Sequence, residues 1–233
     1  MKYFKLKQIA LALLMVVLGV GCIEDSEPTP MRYTAYGFLN KTGEKYYVDL
    51  DGGMKVELAP FDDSELEFEG DDRVLFMFTV EKDYGTEAPV RYLVNVLGKI
   101  WFIDYSDIVE LNAVSRDTIG DGYVELEYTP VPVGDYLNLN VFYKKQEGDH
   151  VFSLCYDPES QVDDEPVVLE LKHKKPEEGN SGQMVRTYQS YNLSGLMQWG
   201  ELDSENKMKF TLRINSGDSQ QRDFNLIYAP IQE

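Results

Sequence analysis

From about residue 31 onward, apolar and polar positions alternate in short runs with a period of two. The clearest case is residues 136–143, Tyr-Leu-Asn-Leu-Asn-Val-Phe-Tyr. Leu137, Leu139 and Val141 share one face there, and Asn138 and Asn140 share the other, which is the signature of a half-buried strand. The same reading predicts strands at 33–39, 45–50, 55–58, 73–80, 90–96 and 99–103. It predicts a second series at 123–128, 136–144, 150–156, 167–173, 185–192, 207–214 and 223–228. Turn residues punctuate the runs, among them Lys41-Thr42-Gly43, Gln146-Glu147-Gly148-Asp149 and Ser216-Gly217-Asp218. Asp51-Gly52-Gly53 is a hairpin signal, because glycine supplies the positive φ that tight hairpin turns require. Residues 104–115 fit neither template and read as a short helix or a turn.

No internal repeat is visible, and the helical period appears only in the N-terminal leader. Gly120-Asp121-Gly122 marks a boundary between the two series. The expected fold class is therefore all-β. An OB-like barrel occupies residues 32–117, where about five strands precede the boundary. An antiparallel β-sandwich occupies residues 118–233, where about seven short strands follow it.

The N-terminus carries a different pattern. Lys2, Lys5 and Lys7 precede an uncharged apolar run at 9–20, and Gly21-Cys22 follows. That run is shorter than the roughly 20 residues of a spanning helix. A basic start, a short apolar core and a small residue before a cut make a secretory signal. A cysteine at the cut makes it resemble a bacterial lipoprotein signal, although Gly19 stands where an apolar residue is usual and Leu18 lies one step back. Residues 1–21 are expected to be removed and Cys22 to become the lipidated first residue. Residues 22–31, with Glu24, Asp25, Glu27, Pro28 and Pro30, form an acidic tether that buries nothing. Acids so close to the lipid resemble the tags that carry lipoproteins to the outer face of the outer membrane in some Gram-negative anaerobes. A periplasm-facing protein is the alternative.

Charge narrows the partners. Loss of the leader removes Lys2, Lys5 and Lys7 and no acid, which takes the formal charge from -19 to -22. Such a surface repels nucleic acid and anionic lipid alike, so attachment to the membrane falls to the acyl chains at Cys22. Cys155 is the one other cysteine, which leaves no internal disulfide once Cys22 is lipidated.

The reactive residue types are sparse. His150, His173 and Cys155 have no metal-ligand spacing, and Cys155 sits in an apolar strand where a free cysteine behaves as a small hydrophobe. Asp49-Leu50-Asp51-Gly52-Gly53 and the run from Asp117 to Gly122 resemble pieces of acidic calcium loops. Neither has the twelve-residue EF-hand spacing, and both read as turn chemistry. Carboxylate pairs such as Asp62-Asp63 and Asp163-Asp164-Glu165 read as solvated loops, since acid/base work needs a shaped cleft that drives pKa values apart. No catalytic residue, metal ligand or cofactor is expected. Among the aromatics, Trp101, Trp199, Tyr188 and Tyr191 are candidates to line a glycan or peptide site.

Taken in order, several segments resemble the NigD-like lipoproteins of gut and oral anaerobic bacteria. They are the lipoprotein leader, Tyr46-Tyr47-Val48-Asp49-Leu50-Asp51-Gly52-Gly53, Asp72-Arg73-Val74, and Gly134-Asp135-Tyr136-Leu137-Asn138-Leu139-Asn140. They continue with His150-Val151-Phe152-Ser153-Leu154, Leu169-Glu170-Leu171-Lys172-His173, Tyr191-Asn192-Leu193-Ser194 and Phe224-Asn225-Leu226-Ile227-Tyr228. Lys174-Lys175-Pro176 departs from the Asn/Asp-rich run expected there. The resemblance implies an N-terminal OB-like domain, a C-terminal β-sandwich and a link to bacteriocin gene clusters with an immunity role. It brings no catalytic residues. The expected function is that of a membrane-anchored, non-enzymatic binding or accessory protein of the cell envelope, with a protein, peptide or glycan ligand. A surface-assembly component is the alternative, followed by a hydrolase whose acids come from distant strands.

Overall fold

The computed structural model describes residues 30–64, 66, 70–176, 182–217 and 220–231. The leader, Cys22 and all of the tether before Pro30 lie outside the described residues.

The first half closes into a barrel. Its strands are β1 (Arg32–Thr42), β2 (Lys45–Leu50), β3 (Lys55–Leu58), β4 (Asp72–Asp83) and β5 (Tyr92–Val96). They run in the order β1-β2-β3-β5-β4, and β4 returns to pair with β1. A two-residue strand, β6 (Trp101–Phe102), extends the same side of β4 beyond β5. Closure depends on β1 serving two partners at once, since Gly37 pairs with Leu50 of β2 and with Val74 of β4. A Cβ at Gly37 would sit 2.5 Å from the Asp49 carbonyl oxygen, so only glycine allows the strands to approach this closely. Leu39, Val48, Val56, Val74, Phe76, Phe78 and Val94 fill the interior.

The second half is a two-layer sandwich. One sheet has the order β7-β13-β10-β9, with β7 (Asp104–Asp107), β13 (Met184–Asn192), β10 (Tyr136–Lys144) and β9 (Glu125–Leu126). The other has the order β15-β14-β12-β11-β8, with β15 (Gln221–Tyr228), β14 (Met208–Asn215), β12 (Val167–Lys174), β11 (Val151–Tyr156) and β8 (Val109–Glu110). Most pairs are antiparallel, but β7–β13, β8–β11 and β12–β14 are parallel. Leu137, Leu139 and Val141 face Leu154, Leu169, Leu171, Phe210 and Leu212 in a single apolar core, as the alternation predicts.

Residues 104–115 resolve into two strands and a helix. β7 joins one sheet and β8 the other, so the chain switches layers across Ile108. Both strands are exposed along their length and carry no apolar alternation, which is why their residues gave no strand signal. The short helix α1 (Ala113–Thr118) is capped by Asn112, whose side chain accepts from the backbone N–H groups of Val114 and Ser115.

Candidate functional site

The polar face of β10 is half-buried. It lies against the outer wall of the barrel, and two features fill this seam, a buried clamp and an open cleft.

Arg73 on β4 is the centre of the clamp. Its Nη1 and Nη2 donate to Asp51 Oδ1 at 2.5 Å and Oδ2 at 2.6 Å. Nε donates to Ser190 Oγ at 3.0 Å, and Nη2 donates to Asn138 Oδ1 at 2.9 Å. Asn138 Nδ2 reaches back to Asp51 Oδ2 at 2.6 Å, and Ser190 Oγ donates to Asn138 Oδ1 at 2.8 Å. The rings of Phe38 and Tyr136 stand 4.8 and 4.3 Å from the guanidinium carbon. The barrel thus supplies the ion pair, the sandwich supplies an amide and a hydroxyl, and aromatic rings exclude water. Gly134 completes the fit. Its φ of +56° and a hypothetical Cβ only 2.5 Å from the Asp51 carbonyl oxygen leave no room for a side chain. Asp51, Arg73, Gly134 and Asn138 belong to the segments that read as turn and strand signatures, and their shared task is to weld the two halves.

Beyond the clamp the seam opens into a cleft of about 660 Å³. The barrel wall is a row across three adjacent strands, Tyr36 of β1, Leu75 of β4 and Trp101 of β6, with Thr34 and Met77 one rung along. The sandwich wall is Asn138 and Asn140 of β10 with Arg186 and Tyr188 of β13. Residues 127–131 rim the opening. Glu127 accepts from Tyr128 Oη at 3.1 Å and from Asn140 Nδ2, and lies 3.7 Å from Arg186. Asn140 Oδ1 is buried with no hydrogen-bond partner. Burial pushes the Tyr36 phenol up to about 12, with the nearby Tyr188 adding to the shift, so it stays protonated at any physiological pH.

Of the four aromatics nominated from sequence, Trp101 and Tyr188 line this cleft. Tyr191 is buried in the sandwich core, and Trp199 stacks on Tyr156 at 4.2 Å. Sequence reasoning missed Tyr36, Glu127, Asn140 and Arg186. Strand parity was the available signal for two of them, because Asn140 alternates with core leucines and Tyr36 with Ala35 and Gly37.

The remaining candidates have structural roles. His150 and His173 do meet, with Nδ1 of the first 2.8 Å from Nε2 of the second. The backbone N–H of Gln146 donates to His150 Nε2 at 3.0 Å, so the His150 proton sits on Nδ1 and points at His173. His173 then carries its proton on Nδ1, 3.2 Å from the Tyr123 carbonyl. Burial pulls the His173 pKa down to about 4. Cys155 is buried and its thiol is pushed up to about 12 by burial, which leaves it unreactive. Asp49 accepts from Asn40 and pairs with Lys55, while Asp121 pairs with Lys172. Tyr46 Oη donates to Asp63, whereas Asp62 accepts the backbone N–H of Ser64, so that carboxylate pair does not act together. Among the described residues no three His, Cys, Asp or Glu side chains gather to hold a metal ion.

A family model described as the NigD-like C-terminal beta sandwich domain matches residues 107–226, over half of the 233-residue chain. The chain belongs to the NigD-like family. The matched segment starts at the last residue of β7 and runs into β15, so it spans most of both sandwich sheets. Solved structures share the NigD-like fold. A NigD-like immunity protein from Bacteroides caccae aligns with a TM-score of 0.56 and 15% identity over 84% of this chain and 92% of its own. A provisionally assigned lipoprotein from Bacteroides fragilis gives 0.62 and 14% over 87% and 100%. A protein from Parabacteroides distasonis, provisionally described as toxin-related, gives 0.66 and 18% over 85% and 94%. At such identities the likeness is one of fold. No curated protein matches the chain.

Proposed function

We propose that this NigD-like chain is a lipid-anchored protein of the cell envelope that works by binding, with the seam cleft as its binding site. The cleft carries the reading. It has the size of a small-ligand site, roughly 300–1,000 Å³, and combines apolar and aromatic walls with a few convergent polar groups. Among the described residues Glu127 is the one carboxylate in its lining, and Arg186 and Asn140 hold it, which favours binding over acid/base chemistry. The Arg73 clamp fixes both walls, so the site is preformed and little ordering entropy opposes a ligand.

The leader sequence supports anchoring at Cys22, and the acidic tether supports a surface-facing position on the outer membrane of a Gram-negative cell. Surface proteolysis of intact cells producing a tagged chain tests this, beside a Cys22→Ala control. Loss of the tag from the parent alone is expected. Protection in intact cells and cleavage after permeabilisation would place the protein toward the periplasm. An immunity role in a bacteriocin cluster is the finer version, supported by the resemblance to the immunity protein. Deletion of the gene would then sensitise cells to a cognate toxin, and unchanged survival against toxins encoded nearby would remove that version.

A second reading is surface assembly through a sheet edge. β15 favours it, since it ends the five-stranded sheet and exposes Ile227. A concentration-independent monomer by light scattering would refute it.

A further inference from the structure

We infer that the seam cleft takes a neutral, hydroxyl-rich ligand, a short neutral oligosaccharide. This rests on the reading of the cleft as the binding site. The lining presents donors and acceptors together, the guanidinium of Arg186 and the indole N–H of Trp101 beside the Glu127 carboxylate. The Glu127 carboxylate accepts from Tyr128 and Asn140 and keeps further acceptor capacity at the cleft. Tyr36 and Tyr188 bring hydroxyls to the same wall, and both can accept or donate. A ligand rich in hydroxyl groups supplies donors to these acceptors and acceptors to Arg186. Trp101, Tyr128 and Tyr188 line the same space and bring the aromatic surface against which sugar C–H groups pack.

Charge excludes the nearest competitors. The chain carries a formal charge of -19 with the leader, and Glu127 stands in the cleft, so an anionic ligand is repelled. A cationic ligand meets a carboxylate already facing Arg186 across 3.7 Å. An extended peptide binds best by adding a strand to a sheet edge. The edges that reach this cleft, β6 and β9, are two residues long each, too short for such a ladder. The remaining walls are side chains on the faces of paired strands, the arrangement that suits recognition by side chains alone.

The test uses the full chain with Trp199→Phe, so that Trp101 is the sole tryptophan and its emission reports on the cleft. The probes are the hexaoses of maltose, cellulose, xylan, mannan and chitin, a hexagalacturonate and a set of uncharged decapeptides. At least one neutral hexaose should shift Trp101 emission saturably. Glu127→Gln and Tyr188→Ala should each weaken it, the former by about tenfold, the size expected for loss of a hydrogen bond to a charged group. Circular dichroism confirms that each variant is folded. Tighter binding of hexagalacturonate would overturn neutrality. Saturable peptide binding with no response to any hexaose would overturn the sugar assignment and leave the cleft standing as a binding site. No response to any probe would also overturn the sugar assignment. Occupancy of the cleft itself is decided separately, by the rate at which a thiol placed on its rim in Thr129→Cys labels in cells and in the purified protein.

Discussion

Removing the Arg73 guanidinium should cost the protein a large part of its stability and loosen the seam. The side chains of Arg73 and Asp51 are 1% and 5% exposed. In Arg73→Ala the Asp51 carboxylate stays buried, with Asn138 Nδ2 its one remaining side-chain donor in the clamp. Breaking a buried pair from one side costs about 3–5 kcal/mol. That is a third or more of the roughly 5–15 kcal/mol that holds a typical domain. Replacing both partners by apolar residues, as in Asp51→Leu with Arg73→Met, removes the uncompensated charge and should be milder than the sum of the single changes by at least about 2 kcal/mol. Urea unfolding reads this directly, because the two tryptophans report on different halves. Trp101 lies on the barrel and Trp199 packs against the sandwich core. In the parent the two transitions, read in Trp199→Phe and Trp101→Phe backgrounds, should coincide. In Arg73→Ala the Trp101 transition should fall to lower urea and precede that of Trp199. A loss below about 1 kcal/mol with coincident transitions would refute the clamp as a stabilising weld, given the cost expected for a stranded buried charge. Strict additivity in the double variant would refute the coupling.

Other outcomes follow from the same structure. His173 is 2% exposed, and its pKa falls from 6.5 unfolded to about 4 folded, so it contributes full stability above pH 6.5. That contribution drains as pH falls from 6.5 toward 4, by at most about 3 kcal/mol. His173→Gln should lower stability at pH 7 and flatten the slope across this window, and equal slopes in urea titrations would contradict it. Gly134→Ala should cost about 2–4 kcal/mol, from left-handed backbone strain and the clash with the Asp51 carbonyl, and a melting temperature within a degree of the parent would contradict the close approach. Tyr228 Oη donates to Asp135 Oδ1 at 2.6 Å. Tyr228→Phe should therefore cost about 1–3 kcal/mol in urea unfolding, and a neutral effect would show that water replaces the bond.

How much of this was legible in the sequence follows from what is local. The strand ladder was legible because each strand faces one core, and burial on one face writes itself as period two. β7 failed to register because all four of its residues, Asp104 to Asp107, are exposed and its ladder rests on backbone hydrogen bonds to β13. The clamp failed for another reason. Arg73 reaches Asp51 22 positions away, Asn138 65 away and Ser190 117 away, so no spacing rule joins them. Alternation in β10 identified Asn138 and Asn140 as the polar face, yet a polar face reads alike whether water or a second layer of polar groups covers it. In β13, parity separates Tyr188 from Tyr191. One faces the cleft and the other the core, a distinction available once the strand was placed.

A seam cleft that serves as the binding site should be occupied in the living cell. Thr129→Cys places a single thiol on the exposed cleft rim, and Glu165→Cys places one on an exposed loop outside the cleft lining. Cys155 is buried and Cys22 is blocked by lipid in the proposed protein, so neither competes for the label. The measurement is the rate of labelling by a membrane-permeant maleimide in producing cells and in the purified protein. Occupancy predicts that Thr129→Cys labels more slowly in cells by roughly the factor 1 + [L]/Kd, while Glu165→Cys keeps the same rate. Equal slowing at both positions, or none at Thr129→Cys, would contradict the cleft as the site through which this protein acts.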